Sequence, residues 1–165
     1  MDAKRGEEMR TTIEDGVTMR MHRVAIQRIA RTAPEFIDIT DEVAAAVEGS
    51  GIQDGTVTVF SRHTTAAVKI NENEPLLLRD MARFLESAAP REGEYRHNDF
   101  VIRTANMTDD ECPNGHSHCQ HLLLAASETI PVIEGRLALG RWQSVFLVEL
   151  DRPREREVII QVQGI

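Results

Sequence analysis

Gly55-Thr-Val-Thr-Val-Phe-Ser-Arg-His-Thr-Thr-Ala-Ala-Val-Lys-Ile70 is the stretch that decides the class of fold. Gly55–Ser61 alternates β-branched and other residues and reads as a strand, and Thr64–Ile70 reads as a second one a few residues on. Between them lie Arg62 and His63, so the connection is expected to be a tight turn. Turns of that kind favour Gly, Asn or Asp. Hydroxyls and an imidazole there instead are a set that can hold a phosphate or carboxylate.

Outward from this pair, the C-terminal third is also rich in strand. Thr129–Ile133, Arg136–Leu139, Arg141–Glu149 and Glu157–Val162 all carry extended patterns. Upstream, His22–Ala30 and Glu35–Ile39 read as strands. Helices fall between them. Thr40 is placed as an N-cap, with Asp41 and Glu42 in the first turn and Gly49 or Gly51 as the stop. A second helix starts at Pro75, keeps Leu77, Met81, Phe84 and Leu85 at helical spacing and ends at Pro90, with Asn73 as its N-cap. A third runs from about Ser117 to Ser127, after a polar loop over 104–115. Strands joined by short turns with about three interspersed helices define a single α+β domain with a mostly antiparallel sheet. It is expected to span residues 21–165. Residues 1–20 lack periodicity and contain several methionines that could serve as starts, so they are read as a disordered leader.

At 165 residues, with 41% hydrophobic and 28% charged, the chain can bury one core. Its net charge of −8, from 19 basic and 27 acidic side chains, argues against nucleic-acid or anionic-membrane partners. No apolar run approaches a membrane span or the core of a signal peptide, so a cytoplasmic location is expected. Two cysteines form no disulfide framework and suit a reducing compartment. Tryptophan occurs once, at Trp142.

Five of the six histidines lie between positions 63 and 121. His63, His97 and His118 belong to separate segments, each at a strand end or loop, where functional side chains gather. They are expected to converge on a divalent metal, zinc or magnesium, with His116 as a fourth or replacement ligand. The competing role for this His and Cys cluster is packing on the third helix. Asn71 and Asn73 stand before the Pro75 helix, where an anion or a hydrated metal can also sit. In Gly135-Arg-Leu-Ala-Leu-Gly-Arg-Trp-Gln143 the glycines allow close backbone approach, and Trp142-Gln143 offers a flat face beside an amide for a heteroaromatic ring. The alternative is a hairpin with a buried tryptophan.

Taken in order, these pieces resemble the YjbQ-like family, usually labelled secondary thiamine-phosphate synthases. The resemblance rests on His63-Thr64-Thr65-Ala66, Ile70-Asn71-Glu72-Asn73, Tyr95-Arg96-His97 and Asp109-Asp110 with His118 before a helix. It continues through Ile130-Pro131-Val132 and Gly135–Gly140 with Trp142-Gln143, and covers about residues 22–164. Two departures stand out: Arg141 where the family commonly has Thr, and a longer loop that adds Cys112 and His116. The resemblance implies a homotrimer and a small-molecule pocket, with His63, His97, His118, Asn71 and Asn73 as catalytic residues. It implies substrate contacts from Thr64, Thr65, Arg136, Arg141, Trp142 and Gln143, with Arg62 also beside the motifs. The activity it implies joins a pyrimidine diphosphate to a thiazole phosphate, giving thiamine phosphate. A metal-dependent hydrolase or lyase, and a non-enzymatic trimer that binds a metal or metabolite, are the competing readings.

Overall fold

The structure, a computed structural model, describes residues 7–12 and 18–165. Among the described residues, two antiparallel sheets and three α-helices make up the fold. The larger sheet contains β1 (Glu7–Thr12), β2 (Thr18–Ile29), β4 (Gly55–Ser61), β6 (Ser127–Ile133), β7 (Arg136–Leu137) and β9 (Glu155–Gly164) in the order β1-β2-β9-β4-β6-β7. The smaller sheet places β8 (Ser144–Glu149) between β3 (Glu35–Asp38) and β5 (Ala66–Asn71). The helices are α1 (Thr40–Ser50), α2 (Pro75–Ala88) and α3 (Gly115–Leu123). No helix among the described residues is long and apolar enough to cross a membrane.

The alternating strands of the large sheet turn Val57, Val59, Ile130, Val132, Val158, Ile160 and Val162 inward. They meet Val43 and Val47 of α1 and one face of the small sheet: Ala66 and Val68 from β5, Val145 and Leu147 from β8. The opposite face of the small sheet, with Ala67, Phe146 and Val148, forms a second core with Leu85 of α2 and Leu150. β5 and β8 are therefore covered on both faces, which is why they read as near-continuous apolar runs.

Several local expectations are corrected. The segment 62–65 is not a turn within a pair of adjacent strands. β4 and β5 lie in different sheets, and these four residues form a corner between them, held by Ser61 Oγ donating to the Ala66 carbonyl at 2.7 Å. Thr40 begins α1 but does not cap it. Its hydroxyl accepts the Val145 N–H at 2.9 Å and so ties the helix start to β8. The N-cap of α2 is Glu74, whose carboxylate accepts from Leu76 and Leu77 N–H. Asn73 instead donates to Asp38 Oδ2 at 2.7 Å. The third helix starts and ends a few residues earlier than expected. Part of the expected leader is strand: β1 pairs with the first half of β2, Met9 opposite Met21, and residues 18–20 belong to β2. Residues 1–6 and 13–17 lie outside the described residues. The stop of α1 at Gly51 is as expected, with φ of 64° at a position that favours glycine.

Candidate functional site

At the corner between the sheets, the His63 loop faces the turn that follows α2 and the start of α3, and an open cavity of about 900 Å³ lies between them. His63, Thr64 and Thr65 contribute from the corner, His97 from a single 3-10 turn (Arg96–Asn98), and His118 from α3. The three histidines expected to converge therefore do share one cavity. Thr64 and Thr65 line it with them.

Close packing sets the position of His97. Gly115, the first residue of α3, donates its N–H to Asn98 Oδ1 at 2.8 Å. A Cβ on that glycine would lie 2.5 Å from the Tyr95 Cβ, so only glycine lets the helix start abut this turn. The result is an edge-to-face contact of the His97 and His118 rings, with centroids 4.6 Å apart. Burial holds the His118 pKa below the usual histidine value, and His97 and Arg103 push it down further. His63 is also lowered, first by burial and then by Arg156 and Arg154. His63 Nε2 accepts the Glu157 N–H at 2.9 Å, which puts the proton of the neutral ring on Nδ1. Neutral imidazoles of this kind can accept or pass on a proton near neutral pH.

Five arginines line the same cavity: Arg62, Arg96, Arg103, Arg154 and Arg156. Arg62 pairs with Glu157 at 2.8 Å, Arg103 with Glu111, and Arg154 with Asp151 at 3.4 Å. Arg156 is 2% exposed and bonds through two nitrogens to fully buried Glu149, at 2.5 and 2.6 Å. It also donates to Thr65 Oγ1 at 2.9 Å, which fixes the corner from beneath. Glu149 Oε1 accepts in addition from the N–H groups of Leu150, Asp151 and Arg152. Among the described residues, the exposed Arg96 side chain has no carboxylate partner. Asn114 also lines the cavity, and its buried Oδ1 has no hydrogen-bond donor among the described residues.

The remaining expected site residues are elsewhere. Asn71 pairs with Ser144 at the far end of β5 and β8, and its amide points at Met81. Arg136 borders a separate cavity of about 420 Å³ beside α1. Trp142 and Gln143 precede β8 rather than belonging to it. Trp142 is 63% exposed, so the buried-tryptophan hairpin is overturned. The Arg141 guanidinium lies over its ring, 4.7 Å from the centroid. Gln143 Oε1 accepts the Gly140 N–H at 2.7 Å and closes the turn.

The histidine set expected for a metal does not come together as one. His116 is 1% exposed and is not part of the cavity. Its Nε2 meets Ser117 Oγ at 3.2 Å, and it faces the Arg91 and Asp151 side of α3. Among the described residues no group of three or more His, Cys, Asp or Glu is placed to hold an ion. The His97–His118 pair is the part of the set that remains.

Arg103, Arg154, Arg156, Glu149 and Asn114 went unnoticed in the sequence. For Arg156 a signal existed: it shares the alternation of Val158, Ile160 and Val162 and therefore their inward face.

The fold recurs in solved structures. A YbjQ-like protein of unknown function from Sulfolobus solfataricus superposes with a TM-score of 0.80 at 34% identity, covering 89% of this chain and 99% of that one. A protein of the YjbQ/UPF0047 family from Clostridium acetobutylicum does so with a TM-score of 0.74, also at 34% identity, covering 84% and 98%. In sequence, a UPF0047 protein of Methanothermobacter thermautotrophicus is 41% identical over 149 residues, 90% of this chain and 96% of its own length. The family described as UPF0047 protein YjbQ-like matches residues 24–165, and the chain belongs to that family.

Proposed function

We propose that the cavity binds a phosphate-bearing small molecule and that the protein is a transferase of the thiamine-phosphate-synthase kind, working as a homotrimer in the cytoplasm. The observation that carries this is five arginines and three histidines around one cavity in a chain whose net charge is −8. Against that overall charge, a local concentration of guanidinium groups selects an anion. Arginine offers paired N–H donors that match phosphate oxygens. A departing diphosphate would be met by Arg96, which has no carboxylate partner among the described residues, while Arg62 and Arg154 would exchange Glu157 and Asp151 for it. Neutral His63 and His118 stand where a proton must be taken up or released.

The test is calorimetric titration with thiazole phosphate, its unphosphorylated alcohol and inorganic pyrophosphate. Wild type should bind the phosphorylated ligands more tightly. Arg96→Ala or Arg154→Ala should weaken them by roughly 10- to 100-fold, the worth of a charged hydrogen bond, and leave the alcohol unchanged. Equal affinity for phosphate and alcohol in every variant would remove the reading.

A second reading, a metal-dependent hydrolase or lyase, is favoured by the His97–His118 contact. Stoichiometric zinc in the purified protein, lost in His97→Ala, would put it first.

A further inference from the structure

β4 stops pairing with β9 at Ser61, which lies opposite Val158. The next N–H of β9 on that side, that of Glu157, has no strand acceptor there, and the His63 ring takes the place of one. Its Nε2 accepts this N–H at 2.9 Å. A backbone donor held in a strand neither ionises nor rotates away, so the Nε2 lone pair stays engaged. The proton of the neutral ring is therefore fixed on Nδ1. The ring lines the cavity, and its Nδ1 has no hydrogen-bond partner among the described residues.

Thr65 is prepared in the same way. Its Oγ1 accepts from Arg156 Nη2 at 2.9 Å, and its carbonyl accepts from Arg156 and from the Leu150 N–H. Arg156 cannot turn elsewhere, because Glu149 holds two of its nitrogens. Thr65 is buried at the border of the cavity, and its own hydroxyl hydrogen has no acceptor among the described residues. Both side chains thus use acceptor atoms on the protein beneath them and keep a hydrogen for whatever enters the cavity.

We infer that His63 and Thr65 form a seat of fixed, neutral donors for a fully ionised phosphoryl group, with His63 neither the base of the reaction nor a metal ligand. A P–OH hydrogen would find no acceptor on the His63 ring, whereas a dianion offers lone pairs on every oxygen. As a base the ring would need a lone pair on Nδ1, where the proton already sits. A proton added at Nε2 would face the Glu157 N–H. A metal finds no free lone pair on either nitrogen for the same reason. Donors held in place in this way stabilise an anion without reorganising when it binds. Proton exchange then falls to His118. The seat rests on the phosphate reading given above, whereas the tautomer and its exclusion of a metal do not.

The test is two-bond nitrogen–proton correlation of the histidine rings at about pH 8, where a phosphate monoester, with its second pKa of about 6, is a dianion. His63→Leu assigns the His63 signals. His63 should show the Nδ1–H form in the free protein and keep it when thiazole phosphate is added, its Nδ1 signals moving with saturation. An Nε2–H ring, or an imidazolium in the complex, overturns the seat. By calorimetry, His63→Leu and Thr65→Val should each weaken thiazole phosphate roughly 10-fold or more, the worth of a hydrogen bond to a charged group. Thr65→Ser retains the hydroxyl and its bond to Arg156 and should stay within about threefold of wild type. Equal losses in Thr65→Ser and Thr65→Val would reduce Thr65 to a packing role and overturn the seat. Zinc titration of the metal-free protein should give the same result for wild type and His63→Leu, and a loss of about tenfold in the variant overturns the exclusion of a metal. Thiazole phosphate that binds without moving the His63 signals overturns the seat and keeps the phosphate site. Thiazole phosphate that does not bind removes the phosphate reading and the seat with it, and the tautomer then stands or falls on the spectrum of the free protein.

Discussion

Glu149→Gln tests the buried pair beneath the corner. The wild-type carboxylate neutralises Arg156, which is 2% exposed, and accepts three backbone N–H groups. The amide keeps an acceptor oxygen for those N–H groups but leaves the guanidinium without its counter-charge. Breaking a buried pair by removing one partner costs about 3–5 kcal/mol, and the retained acceptor argues for about 3. For a chain of this size each kcal/mol moves Tm by roughly 2–4 °C, so a fall of about 6–12 °C is expected. Urea denaturation at fixed protein concentration should show a lower midpoint with an unchanged slope. Adding Arg156→Met removes the stranded charge and should recover stability relative to the single variant, since the two sites are coupled. A Gln variant within about 1 kcal/mol of wild type, or a double variant less stable than the single, would refute the view that this ion pair supports the corner.

Gly115→Ala should separate α3 from the His97 turn, because the added methyl meets Tyr95 at 2.5 Å. Loss of the His97–His118 contact would appear as changed ring-proton shifts of both histidines, with the helical signal retained. Four histidines, His63, His116, His118 and His121, are held below the ordinary value of 6.5, each chiefly by burial. Their lowered folded pKa means that the unfolded chain binds more protons as acid is added. Stability should therefore be level above about pH 7.5 and fall as pH drops through 6.5. A profile flat down to pH 5 would count against the burial of these rings.

The strands were legible where one face is wet. Gly55–Ser61 alternates cleanly, and its sequence bounds are those of β4. β5 was harder, because Ala66, Ala67 and Val68 are all buried, and a run without alternation cannot show which sheet it joins. The histidines of the cavity were visible as chemistry in loops, but their arginine companions were hidden in charge-rich stretches. Arg-Glu-Arg-Glu over 154–157 looks like a solvated run. Only the parity of Val158, Ile160 and Val162 tells that Arg156 turns inward. Trp142 and His63 looked like parts of one pocket because both stood in recognisable motifs. Linear order carries no distance, and the strand between them sets the ends apart.

The corner at 62–65 also fixes which changes of length the chain can accept. β5 sends Ala66 and Val68 to one core and Ala67 to the other, so its two faces are not interchangeable. A residue inserted ahead of Ala66 and carried into the strand would invert it and turn Lys69, now paired with Glu128 at 2.6 Å, toward the core between the sheets. Ser61 and Arg156 hold the loop at both ends and leave little slack to absorb the extra residue. In this chain, then, the corner can exchange side chains but has no room to change in length.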